Sequence, residues 1–202
     1  MVKPGKLASV NLCTLPLPLN GKEYMTPLEE CTVCLLWMDQ KEPILSIPSF
    51  PSFPANFLKE PLYKIGLSQI GSGKGMFSTT ALTRGDLITA ERPIILYPTA
   101  LPLSSNSSMP HPDALIAMLL EPKELHEYRR RQFLALHNCK EVTKETSLLR
   151  GICNTNSLRV GELPGPHENV TYSAVANDIS RITHRCEAHL QALTAVLTGA
   201  LV

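Results

Sequence analysis

Features that would assign the chain to a membrane, to secretion or to nucleic acid are missing from its sequence. The N-terminus has no uninterrupted apolar segment of the kind found in signal peptides. No run reaches the roughly 18 apolar residues that a membrane-spanning helix needs. Charged residues make up 18% of the chain and the net charge is +1, so no overall field favours nucleic acid or a membrane surface. We therefore expect an intracellular protein, cytoplasmic or nuclear.

Proline, by contrast, is abundant and divides the chain. Of the 17 prolines, 12 lie in clusters at residues 16–18, 43–61 and 93–112. Because proline lacks the backbone N–H and clashes with the preceding turn of a helix, these stretches predict linkers or loops. We expect a weakly structured, proline-rich arm over residues 1–60, a domain over 61–189 and an atypical tail over 190–202.

The six cysteines are scattered, at positions 13, 31, 34, 139, 153 and 186. In a chain without an export signal we expect free thiols. Cys31 and Cys34 have the spacing of a zinc knuckle, but a tetrahedral zinc site needs four ligands and Cys13 is the only cysteine nearby in sequence. We therefore expect two small buried residues here, and no zinc site.

Residues 62–98 have the pattern of strands. Short apolar alternations predict strands over 62–68 and 76–79, and Thr83-Arg84-Gly85-Asp86 predicts a turn. The β-rich run over 87–96 is interrupted at Pro93, which favours an edge strand or a pair of strands.

Helices are predicted further along. Asp113 is a candidate cap for a short helix that ends before Pro122, and Pro122 suits the first position of a second helix. In that second helix Leu125, Tyr128, Phe133 and Leu136 share one sector, and Arg129, Arg130 and Arg131 predict a solvated face or a patch for an acidic partner. A helix that runs into a strand is predicted over 145–160, and a short strand followed by an irregular turn or helix over 172–186.

The glycine-rich segment from Gly71 to Gly75 invites a nucleotide-binding interpretation, which its spacing does not support. A P-loop has a glycine five positions before its Gly-Lys pair and a serine or threonine after it, and these positions hold Ser68 and Gly75. The spacing of a dinucleotide-binding motif fails at Met76. Taken alone, the glycines predict a tight turn.

The surroundings of these glycines resemble a SET domain, the fold of most protein lysine methyltransferases. The string G-K-G-M-F, followed by R-G-D-L-I-T-A-E-R-P-I-I, is similar to the N-terminal SET motif. The later string Y-S-A-V, followed by S-R-I-T-H-R-C, is similar to the C-terminal one. Between them, F-L-A-L-H-N-C and G-I-C-N-T-N-S-L resemble the helical insert of fungal SET proteins related to the SMYD group. The resemblance implies an α+β, β-rich SET fold of small curved sheets, with its N-terminal part over 61–98, a helical insert over 99–150 and a C-terminal part over 151–189.

The resemblance also implies a cofactor, S-adenosylmethionine. In the family, the backbone of the glycine turn lies against this cofactor, because glycine lets main-chain N–H and C=O groups approach closely. By position, the corresponding residues here are Ser72, Gly73, Lys74, Gly75 and Met76. Thr183 stands where the family has an asparagine that binds the methionine moiety of the cofactor, and His184 matches the histidine that contacts the adenine.

The chain departs from the family pattern near its end. Besides Thr183, Arg185 replaces a small serine, and the active-site tyrosine segment has no counterpart, so no catalytic residue is assigned. We expect a C-terminally truncated or degenerate member of the S-adenosylmethionine-dependent protein lysine methyltransferase family, weak or inactive, with a lysine-containing protein as substrate or partner. The alternative is a catalytically dead SET remnant that acts as a protein-interaction module.

Overall fold

A computed structural model describes residues 10–15, 32–37, 61–69, 73–89, 91–99, 112–121, 125–143, 146–163, 171–182, 194–195 and 200–201. Over these residues the fold is a mixed α+β arrangement of small sheets with three α-helices, which confirms the predicted α+β class. The strands are β1 (Val10–Leu15), β2 (Thr32–Trp37), β3 (Tyr63–Leu67), β4 (Lys74–Ser78), β5 (Ile95–Pro98), β6 (Leu158–Glu162), β7 (Thr171–Val175), β8 (Thr194–Ala195) and β9 (Ala200–Leu201). The helices are α1 (Pro112–Leu119), α2 (Glu127–Leu134) and α3 (Leu148–Asn156), and a 3-10 helix spans Ile179–Arg181.

The largest sheet has five strands in the order β1-β2-β5-β7-β6. β2 and β5 are parallel, with Val33 opposite Ile95, and the other neighbours in the sheet are antiparallel. The helices cover this sheet and share a core with it. The buried core residues are Val33, Ile94, Ile95, Tyr97, Leu115, Ile116, Leu119, Leu120, Leu125, Phe133, Leu136, Ile152, Cys153 and Val175.

The expectation of a weakly structured arm over residues 1–60 is wrong for β1 and β2, which belong to the central sheet. Val33 and Cys34 are fully buried, and the Thr32 hydroxyl donates to the carbonyl oxygen of Pro93 at 2.8 Å. Of the two partners of β2, β1 is close in sequence but β5 lies far along the chain, so no local pattern indicates the pairing with β5. The free thiols predicted from the sequence are confirmed at Cys34, Cys139 and Cys153.

The expectation of an edge strand around Pro93 is also wrong. Within the predicted run over 87–96 the strand begins only at Ile95, and β5 lies between β2 and β7. Pro93 precedes the ladder, so its missing N–H interrupts no pairing. The ladder starts at the next residue, where the Ile94 N–H donates to the carbonyl oxygen of Val175 at 2.7 Å.

Strands are found where the alternation predicts them, as β3 and β4, although β4 begins at Lys74 and so includes Gly75; the two pair as an antiparallel hairpin with Gly66 opposite Gly75. The turn after it is also as predicted. The N–H of Thr83 donates to the Asp86 carboxylate at 2.6 Å, and Gly85 has a φ of 100°, a conformation that glycine adopts most readily. The hairpin and the turn thus lie between Tyr63 and Asp86, ahead of Glu91 in the chain.

The helices follow the predicted order, with local differences. Asp113 lies in the first turn of α1, and α2 begins at Glu127, where the His126 side chain accepts from the Tyr128 N–H at 3.3 Å. Pro122, the predicted first position of this helix, lies outside the described residues, and the described helix starts five residues later. α3 begins after its cap, Ser147, and runs through Asn156 into β6, as expected from the pattern over 145–160.

Two side chains of α2 are on the opposite side from their prediction. Tyr128 is 54% exposed, although it was predicted to share the buried sector. Arg129 is buried, and its guanidinium donates to the carbonyl oxygens of Arg92 and Pro93 at 3.1 and 2.7 Å. Two main-chain acceptors thus take this arginine out of the solvated face. Arg131 does lie on an exposed face, as predicted.

Candidate cofactor-binding site

The glycine turn closes the β3–β4 hairpin. The Ser68 N–H donates to the Gly73 carbonyl oxygen at 3.0 Å, and Gly73 has a φ of 107°. A Cβ at Gly73 would lie 3.3 Å from Cγ of His137. The backbone conformation therefore favours glycine here, and a Cβ would in addition be in tight contact with the histidine ring.

His137 belongs to a loop that follows α2 and is held against α3. The Cys139 N–H donates to the Thr155 hydroxyl at 3.2 Å, and the Lys140 N–H donates to Oδ1 of Asn138 at 2.8 Å. The Asn138 side chain rests on Gly151, where an added Cβ would come within 2.6 Å of Oδ1. A glycine in the first turns of α3 is thus what lets this loop reach the hairpin.

Asn156, the last residue of α3, joins the loop to the C-terminal segment. Its buried Nδ2 donates to the carbonyl oxygens of His137 and Ile152 at 2.6 and 2.8 Å. Its own carbonyl oxygen accepts from the Ser180 hydroxyl at 2.9 Å, and that hydroxyl accepts from the Ala176 N–H at 3.2 Å. The glycine turn, the N-T-N-S-L segment and the residues that lead to Thr183 therefore lie in one region.

A second connection runs from Glu91 to the start of the 3-10 helix. Its carboxylate accepts from the N–H groups of Asn177, Asp178 and Ile179 at 2.6, 2.8 and 2.9 Å. Burial of this side chain raises the pKa of Glu91 above its ordinary value, and the nearby Asp178 carboxylate adds to the rise, against the lowering effect of the three donors.

Tyr63 reaches the same place from the hairpin. Its hydroxyl donates to Oδ2 of Asp178 at 2.6 Å and accepts from the Thr89 hydroxyl at 3.5 Å. Burial, followed by the bond to Asp178, raises the pKa of Tyr63 to about 12. β4, the strand that carries residues 74–76, also packs against the 3-10 helix.

The residues predicted to touch a cofactor are partly within the described structure. Gly73 and Lys74 are exposed, Gly75 is buried in the hairpin and Met76 is half-buried. Ser72, Thr183 and His184 lie outside the described residues, so their predicted roles stay predictions. The described chain next to them ends at Ile182, one residue before Thr183.

Three residues of this region were not predicted from the sequence. Asn156 and His137 lie in segments that the family resemblance covers, but nothing in the sequence alone assigns them to one contact. Glu91 stands in the E-R-P string, where its letter suggests an exposed acid at a turn. The only signal in the sequence is an acidic residue two positions before Pro93 in a β-rich segment. That signal is weak, because it does not show which main-chain N–H groups the carboxylate accepts from.

The described residues include no candidate metal site and no candidate membrane-spanning helix. No group of three or more histidine, cysteine or acidic side chains there is arranged to hold a metal ion. Cys31 lies outside the described residues, so the expectation about the zinc-knuckle spacing is untested. Among the helices that the structure describes, none is both long and apolar enough to cross a bilayer.

Comparisons with known proteins do not supply an identity. The sequence matches no protein-family model, and comparisons with curated proteins and with solved structures find no match. A function for this protein therefore has to be argued from its residues and their arrangement.

Proposed function

We propose that this protein is a SET-domain protein in the family of protein lysine methyltransferases. We propose that it binds S-adenosylmethionine at Gly73 and at the adjoining start of β4, residues Lys74 to Met76. The observation that carries the proposal is the meeting of the motif-bearing segments. Gly73 lies against His137, His137 is bonded to Asn156, and Asn156 is bonded to Ser180. Segments that resemble separate SET motifs are thus neighbours in space, as a shared cofactor site requires.

The residues present fit such a cofactor at the glycine turn. Gly73 is exposed and carries no side chain, and its positive φ turns the main chain in a way that other residues rarely adopt. Main-chain groups at 73–76 would hold the methionine end of the cofactor, beside the His137 ring. The mixed α+β fold with small sheets is compatible with the SET architecture.

The cofactor, when bound, supplies a methyl group on a sulfonium. Transfer of this methyl to a lysine amine depends mostly on holding the two partners in line and on keeping water away from the neutral amine. This chain contributes one wall for that purpose, since part-buried hydrogen bonds join the 177–182 segment to Tyr63 of the hairpin and to Glu91. The substrate we infer is a lysine-containing protein.

Thr183 is expected to weaken the binding of cofactor. Threonine offers one hydroxyl where asparagine offers both a carbonyl and an amide. A lost hydrogen-bond partner costs about 1–3 kcal/mol, which is roughly ten- to a hundredfold in affinity. Weak or absent transferase activity follows from the proposal.

A SET remnant that has lost its activity and binds a protein is the second candidate. The replacement of the family's asparagine and serine by Thr183 and Arg185 favours it, because both changes act against cofactor binding. The two candidates differ in one measurable respect, the affinity for S-adenosylmethionine.

Calorimetric titration with S-adenosylmethionine tests the proposal with matched variants. Gly73→Ala and Gly85→Ala both place a side chain at positive φ, but nothing lies within 4 Å of a Cβ at Gly85. We expect binding by the wild type and by Gly85→Ala, loss of binding in Gly73→Ala, and a ten- to a hundredfold gain in affinity, roughly, in Thr183→Asn. Absence of heat for both the wild type and Thr183→Asn at millimolar cofactor would exclude the cofactor-binding proposal.

A further inference from the structure

Glu91 holds three consecutive main-chain N–H groups with one carboxylate. Oε1 accepts from Asn177, and Oε2 accepts from Asp178 and Ile179. These donors begin the segment that ends at Ile182, directly before Thr183. A single half-buried side chain thus holds the path of the chain just ahead of the residues that resemble the C-terminal SET motif.

Tyr63 strengthens the same attachment from another element. Its hydroxyl donates to Asp178 at 2.6 Å, so the residue whose N–H is held by Glu91 is also held through its carboxylate. Asp178 in turn accepts from Nδ2 of Asn177 at 2.6 Å, and Oδ1 of Asn177 accepts from Arg181 at 3.2 Å. The attachment includes main chain and side chains on both sides of Asp178.

Desolvation of the Glu91 carboxylate in the folded protein costs free energy. Burial raises the pKa of Glu91, which means that the ionised form loses free energy on folding relative to water. An apolar side chain would fill the same volume without that loss, but it would leave three main-chain donors without their acceptor. The choice of glutamate is therefore explained by orientation of the 177–179 backbone and poorly explained by packing.

We propose that Glu91 is a positioning residue that holds residues 177–179 against the chain just before β5, that Tyr63 joins the same segment to the β3–β4 hairpin, and that together they fix where the chain enters the cofactor site. The inference rests on the proposed function for its consequence, which is the affinity for S-adenosylmethionine. The structural half of the inference, that Glu91 holds residues 177–179 in place, concerns the protein without cofactor. Hydrogen exchange tests this half, and the affinity for the cofactor tests the consequence.

Hydrogen exchange of the cofactor-free protein tests the structural half. In Glu91→Gln an amide N–H₂ replaces one of the two acceptor oxygens, so the N–H groups that face it lose their acceptor, and we expect at least one of Asn177, Asp178 and Ile179 to exchange about tenfold faster. The N–H of Ile94, which is bonded in the central sheet, should keep its rate. Glu127→Gln, which alters an exposed acid of α2, is the matched control and should change neither. Equal protection of residues 177–179 in Glu91→Gln and wild type, or a uniform loss of protection, would overturn the proposal.

Calorimetry on the folded variants tests the consequence. We expect Glu91→Gln to lower the affinity for S-adenosylmethionine about tenfold, Tyr63→Phe to lower it by less, and Glu127→Gln to leave it unchanged. Unchanged affinity in Glu91→Gln, with a wild type that binds, would overturn the positioning role. A wild type that does not bind would remove the proposed function, and the exchange rates would still decide whether Glu91 locks the segment. If Glu91→Gln does not fold, Tyr63→Phe carries both measurements, with faster exchange at Asp178 as the expected result and unchanged exchange as the contrary one.

Discussion

Nδ2 of Asn156 donates to the carbonyl oxygen of His137 at 2.6 Å, and this bond brings the end of α3 to the loop that lies on the glycine turn. The same amide also donates to the carbonyl oxygen of Ile152. One buried asparagine thus sets the distance between the helical insert and the hairpin. Any cofactor site at Gly73 depends on this spacing, because the His137 ring forms its neighbouring wall.

Replacement of Asn156 should therefore be costly. Asn156→Ala leaves the His137 carbonyl oxygen without this donor and removes a second, additional bond to the Ile152 carbonyl oxygen, and we expect a loss of about 1–3 kcal/mol in the free energy of unfolding. Asn154→Ala, at an exposed position of the same helix, should stay within about 0.5 kcal/mol of the wild type. Urea unfolding of both variants measures the difference. Equal stabilities of the two would contradict the role given to Asn156.

Gly151 should not tolerate alanine while Asn138 is present. A Cβ there would lie 2.6 Å from Oδ1 of Asn138, so Gly151→Ala should destabilise the protein by about 1–3 kcal/mol through overpacking. In a helix that lacked this neighbour, the same change would add up to about 1 kcal/mol of stability. The double variant Gly151→Ala/Asn138→Ala should therefore be more stable than Asn138→Ala alone. Thermal unfolding of the four proteins decides this, and a penalty that persists without Asn138 would refute the steric explanation.

Arg129 should be the arginine of α2 on which stability depends. Its guanidinium donates to two buried carbonyl oxygens, and hydrogen bonds to charged groups contribute about 1.5–3 kcal/mol. Arg129→Met should lose about that much. Arg131→Met removes an exposed ion pair with Glu127 and should cost about 0–1 kcal/mol. Chemical denaturation compares the two variants, and a larger loss in Arg131→Met would be the contrary result.

Tyr63 should make stability depend on pH in the alkaline range. Its pKa is raised from 10.0 to about 12, so the folded state holds the proton more tightly than the unfolded chain does. The stability that this group contributes is fully present below its unfolded pKa and is lost as pH rises through the folded value. Tyr63→Phe should thus be less stable at neutral pH and lose less stability than the wild type as the pH rises from 10 to 12.

Unfolding free energies across this pH range check the Tyr63 prediction, with Tyr128→Phe as the control for an exposed tyrosine. The control should follow the wild type. If Tyr63→Phe lost stability with pH as steeply as the wild type does, ionisation of the half-buried Tyr63 hydroxyl would not be the source of the dependence.

Local patterns predicted the elements that local forces determine. The β3–β4 hairpin follows from short apolar alternation around glycines, and the turn at 83–86 from its Gly-Asp pair. The helix over 148–156 and the strand β7 were likewise expected. In the hairpin, the turn and the helix the residues that make the contacts are close in sequence, whereas β7 pairs with the distant β5 as well as with the nearby β6.

Contacts between distant segments were not predictable in the same way. β2 is held by Ile95, and Thr32 by Pro93, at a sequence separation of 61 residues, which no pattern around Thr32 reveals. Arg129 looked like part of a solvated face because its acceptors are carbonyl oxygens 36 and 37 residues away. For the candidate site, the glycine turn was predicted but Glu91 and Asn156 were not, because their roles depend on main-chain partners that carry no signature in the sequence.

The central claim is that S-adenosylmethionine binds at Gly73 and at the adjoining start of β4, residues Lys74 to Met76. An NMR titration of the isotope-labelled protein, followed at the backbone amide signals, tests it most directly. We predict that the cofactor shifts the backbone amide signals of Gly73, Lys74, Gly75 and Met76, and that of His137, while the signal of Gly85 stays in place. Signals that do not move at millimolar cofactor, or that move only at residues away from the glycine turn, would contradict the account.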